Sequence, residues 1–244
     1  MNKSKALSEI RRKLRSKETS IGSWMQIPDS NLAEILGQCG YDWVAVDLEH
    51  GPITLDALPD LFRSLELGNT LPLARIPEAS EMNCRQTLDA GAAGVIVPMV
   101  RSARQLQSVV EWCSYPSVGT RGVGFARSNL FGEHFSTYAQ SEEALNPLVI
   151  AMIEHVDAIE VLDDILAVQG LDAIFIGPYD LSASLGIPAD FDNPRFKEQL
   201  ARIRSIATTQ NVPLGIHVVA PSKEDLRSKL NEGCLLYTSD AADE

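Results

Sequence analysis

Four apolar runs in this 244-residue chain end directly in ionisable residues. Trp43-Val-Ala-Val leads into Asp47, Glu49 and His50, and Leu71-Pro-Leu-Ala leads into Arg75. Residues 148–153 lead into Glu154 and His155, and residues 173–176 run into Gly177-Pro-Tyr-Asp180. An imidazole titrates near neutrality, so His50 is the candidate for moving a proton. The Arg75 guanidinium offers fixed paired donors to a carboxylate or an enolate oxygen. Glu154 and Asp180 come from neighbouring strands. Two carboxylates that leave positions open for water and substrate oxygens suit Mg2+, Mn2+ or another hard divalent cation. Each residue has a structural use as well. An acid after a strand caps the following helix, Arg75 can pair with one of the acids, and His155 and His217 can fill a sheet interior. Convergence is what sets the group apart, because like charges gathered at one edge destabilise a fold unless something uses them.

The elements that must carry these residues alternate. An amphipathic helix over 6–17 places Leu7, Ile10 and Leu14 on one face and reads as a lid over one end of the fold. Short β-branched strands are expected at 22–27, 43–48, 71–76, 94–100, 148–153, 173–176 and 213–219. Helices are expected at 30–38, 54–67, 80–90, 103–113, 158–168, 194–209 and 222–231. The rhythm pauses at 114–147, an insertion long enough to suggest function. Seven β/α units imply a parallel sheet with helices outside. An α/β barrel short of one unit fits this better than an open doubly wound sheet, because no GxGxxG follows the first strand.

The last residues, Cys234-Leu-Leu-Tyr-Thr-Ser-Asp-Ala-Ala-Asp-Glu244, share no rhythm with what precedes them. They read as an adapter-derived, non-native tail. The expected division is an N-terminal helix at 1–19, an incomplete barrel at 20–233 and this tail at 234–244.

Composition narrows the partners. A net charge of -12 argues against nucleic acid, whose phosphates would be repelled. No apolar run approaches the roughly 18 residues of a membrane span, and the N-terminus lacks an export signal, so a cytoplasmic protein is expected. Cys39, Cys84, Cys113 and Cys234 show no metal-binding spacing and read as free thiols. No lysine occurs between Lys17 and Lys197, so none of the strands supplies one for a Schiff base. Carbonyl chemistry here would need a metal as the electron sink.

Together, Asp47-Leu-Glu-His50-Gly-Pro52, Arg75, Val97-Pro-Met-Val100, Thr120-Arg-Gly-Val-Gly124, Ile153-Glu154 and Phe175-Ile-Gly-Pro-Tyr-Asp-Leu-Ser182 resemble the HpcH/HpaI family of metal-dependent, class II pyruvate aldolases. The resemblance runs from about Ser20 to Gly233. It implies a (β/α)8 TIM barrel of the phosphoenolpyruvate/pyruvate type, here expected to lack its eighth β/α unit. The implied reaction splits or forms 4-hydroxy-2-oxo acids, such as sugar-derived acids, giving pyruvate and an aldehyde through a metal-stabilised enolate. By the same resemblance Glu154 and Asp180 hold Mg2+, Mn2+ or Co2+, and His50 is the base, acting through a metal-bound water. Asp89 raises its basicity, Arg75 stabilises the enolate and Asp47 supports the site. Gly122 and Gly124 bring backbone N–H groups to the substrate. Met152 stands where these aldolases carry a glutamine that holds pyruvate. Tyr179 stands where a small residue is common and narrows the pocket. Glu49 receives no task. A homo-oligomer, in the family a dimer-based hexamer, is the implied assembly. Two other readings are a citryl- or malyl-CoA lyase relative, though no CoA-phosphate feature is evident, and a catalytically inactive barrel fragment.

Overall fold

The computed structural model describes residues 1–218 and 223–240. Eight parallel strands close into a barrel in chain order. They are β1 (Ser20–Met25), β2 (Trp43–Asp47), β3 (Leu71–Arg75), β4 (Gly94–Val97), β5 (Leu148–Ile153), β6 (Ala173–Ile176), β7 (Leu214–Val218) and β8 (Leu236–Asp240). Helix α1 (Lys3–Arg15) precedes β1, and α2 (Ser30–Gln38), α3 (Leu58–Leu67), α4 (Glu81–Ala90) and α5 (Ala103–Cys113) follow the first four strands in turn. Single turns α6 (Phe135–Tyr138) and α7 (Glu142–Leu145) lie in the long insertion. After β5 come α8 (Val156–Glu160) and α9 (Leu162–Leu166), after β6 come α10 (Pro178–Ser184) and α11 (Pro194–Thr209), and after β7 comes α12 (Lys223–Asn231).

The seven expected strands are present, each shifted or shortened by a few residues at most. The eighth strand, expected to be missing, is a correction. Residues 236–240 run between β7 and β1, with Ser20 opposite Leu236 and Gly215 opposite Leu236 on the other side. Cys234, Leu236 and Tyr237 are buried there. A lone strand between two open edges is specified mainly by backbone hydrogen bonds, so weak side-chain rhythm does not prevent it. Two further elements differ. The expected helix at 158–168 is broken into α8 and α9, and α10 forms where only a strand end was expected. Val219, Ser222 and residues 241–244 of the expected elements lie outside the described residues. No helix among the described residues is long and apolar enough to cross a membrane.

Strand alternation explains how the chain sorts its side chains. Val44 and Val46, Val149, Ala151 and Ile153, and Ile174 and Ile176 join the shell under the helices. Trp43 and Ala45, Leu71 and Leu73, Leu148, Ile150 and Met152, and Ala173 and Phe175 fill the barrel interior. Leu7, Ile10 and Leu14 of α1 join that interior cluster from the amino end. Each such side chain contributes about 2 kcal/mol on burial, so α1 is part of the core. Gly22 leaves room for the lowest layer, since a Cβ there would lie 2.4 Å from the Trp43 indole. The next inward positions after Ala45, Leu73, Met152 and Phe175 are Asp47, Arg75, Glu154 and Gly177. One period-2 rule thus fills the barrel with apolar layers and delivers polar groups to its carboxyl end.

Candidate active site

Asp47 and Arg75 stand opposite each other in the β2–β3 register. Arg75 donates from Nε to Asp47 Oδ1 at 2.8 Å and from Nη2 to Oδ2 at 2.5 Å. The guanidinium carbon lies 4.6 Å from the centre of the Trp24 ring beneath it. Gln26 donates to Asp47 Oδ2 at 2.8 Å. The backbone N–H groups of Glu49 and His50 donate to Oδ1 at 3.0 and 3.3 Å. Burial alone would raise the Asp47 carboxyl, but the Arg75 fork outweighs it and holds Asp47 below its ordinary value. Asp47 therefore does two jobs, fixing the guanidinium and fixing the turn that carries Glu49 and His50.

Arg75 has one nitrogen left. Nη1 lies 3.1 Å from Glu49 Oε2 and 3.9 Å from Met152 Sδ. Glu49 Oε2 is buried and, despite that distance, lacks the alignment of a hydrogen bond. Burial pushes the Glu49 carboxyl up to about 7; Arg75 pulls the other way, and the charges of Asp47 and Asp180 add to the rise. His50 is exposed at the rim, with Nε2 4.0 Å from Glu49 Oε2.

Glu154 is 2% exposed, and its Oε1 accepts the Met99 N–H at 2.5 Å. Met99 presents that N–H from a left-handed backbone, φ 50°, a conformation that costs a non-glycine residue on the order of 1 kcal/mol. Burial again pushes the Glu154 carboxyl up to about 7, opposed by the Met99 N–H and augmented by Glu49 and Asp180. Gly177 makes the space for it, because a Cβ there would lie 2.5 Å from Glu154 Oε2. Asp180 is exposed in the first turn of α10, a helix with no side-chain cap. The capping use weighed for these acids falls instead to His155, which accepts the Asp157 N–H and caps α8.

The donor chemistry fits a hard divalent cation. Glu154 and Asp180 supply oxygen only, each keeps an oxygen free of the helix caps, and burial first, then their neighbouring acids, holds the carboxyls of Glu49 and Glu154 high. Among the described residues no trio of His, Cys, Asp or Glu is drawn together as a ready cage.

Three expected site residues are placed elsewhere. Asp89 lies in the last turn of α4, which returns from the carboxyl end of β3 toward the amino end of the barrel. The carbonyl of Gly91, two residues on, accepts from Lys3 of α1. Asp89 accepts from Arg121 Nη2 at 2.6 Å and makes no hydrogen bond or ion pair with His50 among the described residues. The expected Asp89–His50 pair is thus not made within the chain. Gly122 and Gly124 lie beside the same helix, where added Cβ atoms would meet Arg85 and Asp89. Arg121 anchors their loop. It is buried, stacked 4.8 Å from the Tyr115 ring and hydrogen-bonded to the Tyr138 hydroxyl. Tyr179 is exposed on α10, its ring edge-on to Phe191 at 5.0 Å. His217 fills the interior against Trp24 at 5.0 Å, with burial and then Arg75 lowering it to about 4.

Glu49, Trp24, Gln26 and Met99 are site residues that sequence reasoning left without a role. The strand alternation that put Asp47 inward also puts Trp24 inward, one layer below Gln26, and that signal was available. A cavity of about 750 Å³ at the other end, between α1, α5 and α7, is lined by charges that pair among themselves, Arg11 with Asp172 and Glu142. It offers no comparable chemistry.

Known proteins share this arrangement of elements. The family described as HpcH/HpaI aldolase/citrate lyase matches residues 20–237. A hydroxypyruvate/pyruvate aldolase from Roseobacter denitrificans is 41% identical over 182 residues, which is 74% of this chain and 70% of that protein. A 2-keto-3-deoxy-L-rhamnonate aldolase from Salmonella gallinarum is 41% identical over 183 residues, 74% of this chain and 68% of that one. A solved HpcH/HpaI aldolase/citrate lyase family protein from Burkholderia cenocepacia superposes with a TM-score of 0.88 at 27% identity, covering 96% of this chain and 93% of that chain.

Proposed function

Because the chain belongs to the HpcH/HpaI aldolase/citrate lyase family, we propose that it cleaves, and in reverse forms, 4-hydroxy-2-oxo acids, giving pyruvate and an aldehyde. It is a carbon–carbon lyase of the aldolase type acting on small molecules. The observation that carries the reading is the Asp47–Arg75 fork, which leaves one guanidinium nitrogen, Nη1, beside Glu49 at the mouth that Glu154 also enters.

Glu154 and Asp180 would hold Mg2+, Mn2+ or Co2+, which supplies Lewis-acid polarisation of the 2-oxo group. His50 takes the proton of the 4-hydroxyl. The C3–C4 bond breaks, its electron pair passes into the enolate of pyruvate, and the aldehyde leaves. His50 then returns a proton to C3, which becomes the methyl group. Arg75 Nη1 is the donor available to the enolate oxygen, and Asp47 keeps it aimed. Met152 and Tyr179 line the pyruvate side and the rim, and Asp89, Gly122 and Gly124, which lie by Arg121 toward the other end of this chain's barrel, take no part in the step within one chain.

The working form is a homo-oligomer, a dimer-based hexamer, in the cytoplasm. Exposed Val123, Phe125, Leu130 and Phe131 on one loop support the first statement. Four free thiols support the second.

The test is pyruvate release, coupled to lactate dehydrogenase, from a panel of 4-hydroxy-2-oxo acids with Mg2+, Mn2+ or Co2+. Release is expected to stop in EDTA and to resume on adding metal back. Equal release in EDTA, or a covalent adduct on borohydride reduction with pyruvate, would sink the reading.

A further inference from the structure

We infer that His217 is a further substrate-binding residue, an imidazole on the floor of the mouth that donates a hydrogen bond to the carboxylate of the bound 2-oxo acid. The inference rests on the aldolase reading and assigns one more contact to the pyruvate half of the substrate.

Strand register places the ring. Ile176 on β6 stands opposite Ile153 on β5 and Ile216 on β7, and all three isoleucines face the helices. The next residues on those strands, Glu154, Gly177 and His217, therefore share one level at the carboxyl end and point inward. Gly177, between the other two, carries no side chain, and Glu154 Oε2 and the Met152 methyl lean over it. Adjacent strands are about 4.8 Å apart, so the Glu154 and His217 backbones stand roughly 10 Å from each other. That span admits a small 2-oxo acid.

Exposure shows which way the ring looks. Trp24, Met152 and Phe175 of the barrel interior are sealed, at 2% exposure or less, whereas His217 keeps partial access to solvent. The apolar layers and α1 close the amino end, so that access is to the mouth. The ring lies edge-on to Trp24 at 5.0 Å, and Trp24 also carries the Arg75 guanidinium at 4.6 Å. His217 and Arg75 thus share one aromatic support.

The chemistry is complementary. A neutral imidazole keeps one N–H donor, and burial, then Arg75, hold His217 neutral at physiological pH. A 2-oxo acid that chelates a cation turns its 2-oxo oxygen and one carboxylate oxygen toward it. Arg75 Nη1 serves the 2-oxo oxygen as it becomes an enolate, and the Met152 thioether donates nothing. The outer carboxylate oxygen still needs a donor, and His217 supplies it from the β7 side.

The test compares the Mg2+-loaded wild-type protein with His217→Leu, His217→Asn and His217→Gln. Pyruvate binding is measured by calorimetric titration, and exchange of the pyruvate methyl hydrogens in D2O is followed against pyruvate concentration. His217→Leu is expected to weaken pyruvate binding about tenfold or more. The half-saturating pyruvate concentration for exchange should rise by the same factor, with the maximal rate changed less than about threefold. One of the two amides should restore most of the binding, Asn if the donor is Nδ1 and Gln if it is Nε2. Pyruvate binding unchanged in His217→Leu overturns the inference, as does a loss that neither amide repairs, which leaves the ring a packing role alone. Slower cleavage of a 4-hydroxy-2-oxo acid with pyruvate binding unmoved overturns it too, since His217 would then belong to the aldehyde half. If His217→Leu does not fold, His217→Phe keeps a ring without the N–H and carries the same readout. A wild-type protein that neither binds pyruvate nor exchanges its methyl hydrogens defeats the aldolase reading and the inference together. One that does both, with His217→Leu equal to it, defeats the inference alone.

Discussion

Asp47 and Arg75 form a two-point fork across adjacent strands, Oδ1 to Nε and Oδ2 to Nη2, with the Asp47 side chain fully buried and Arg75 nearly so. The β1–β3 side of the carboxyl end is arranged around it. Trp24 lies under the guanidinium, Gln26 and the Glu49–His50 turn hang from the carboxylate, and the third nitrogen lies beside Glu49.

Breaking the fork from either side should therefore be severe. Asp47→Asn keeps the volume but leaves a buried guanidinium with half a partner, at about 3–5 kcal/mol of stability. Urea unfolding reads that loss directly. Catalytic efficiency should fall at least about 100-fold, because Arg75 is no longer aimed. Arg75→Lys keeps the charge but not the fork, and should show a similar loss of activity.

Gly177→Ala isolates the Glu154 cradle. The new methyl would lie 2.5 Å from Glu154 Oε2, so the carboxylate must move while the strands stay as they are. Calorimetric titration with Mn2+ should show affinity reduced by roughly tenfold or more, with a melting temperature only slightly lower. Unchanged Mn2+ binding would remove Glu154 from the cation site.

The acids also make stability depend on pH in an unusual direction. Glu49 and Glu154 are raised to about 7 from an unfolded value near 4.5. Between those values the folded chain holds protons that the unfolded chain has released. Stability of the metal-free protein should then fall as pH rises from about 4.5 to about 7. Asp47, held below its ordinary value, works oppositely, and its contribution is lost as pH falls below about 4. Thermal melts from pH 4.5 to 8 in EDTA test the first statement. Added Mg2+ should flatten the decline, since it binds the ionised acids.

Met152→Gln tests the thioether beside Arg75. Met152 is 2% exposed, with Sδ 3.9 Å from Nη1, and it donates no hydrogen bond. A glutamine amide would add a donor for the 2-oxo acid, so KM should fall severalfold with kcat little changed. Without substrate the amide is buried and poorly partnered, and stability should drop by about 1–3 kcal/mol. A raised KM would contradict the placement.

The barrel was legible because its physics is local. Runs such as Trp43–Asp47 and Leu148–Ile153 are short, β-branched and closed by an abrupt change to charge, and period-2 alternation says which of their residues face inward. What failed to show was long-range. Nothing in residues 236–240 announces a strand, because their place is set by the two edges they meet rather than by their own pattern. The sequence resemblance pairs Asp89 with His50, but the direction in which α4 returns carries Asp89 to the other end of the barrel. Glu49 had no visible task because its 3.1 Å approach to Arg75 across β2 and β3 is a relation that spacing along the chain cannot reveal.

The seam at β8 also bears on how the chain reaches this state. Ser20 and Leu236 are partners near opposite ends of the sequence, so this pairing is the most non-local in the sheet and the slowest kind to form. Until it forms, β1 and β7 each present an unpaired edge, a template for any other extended segment. Any state with the first seven strands paired and this seam open would expose both edges to other chains. The faster the last strand pairs with its two neighbours, the shorter the time for which both edges stand open.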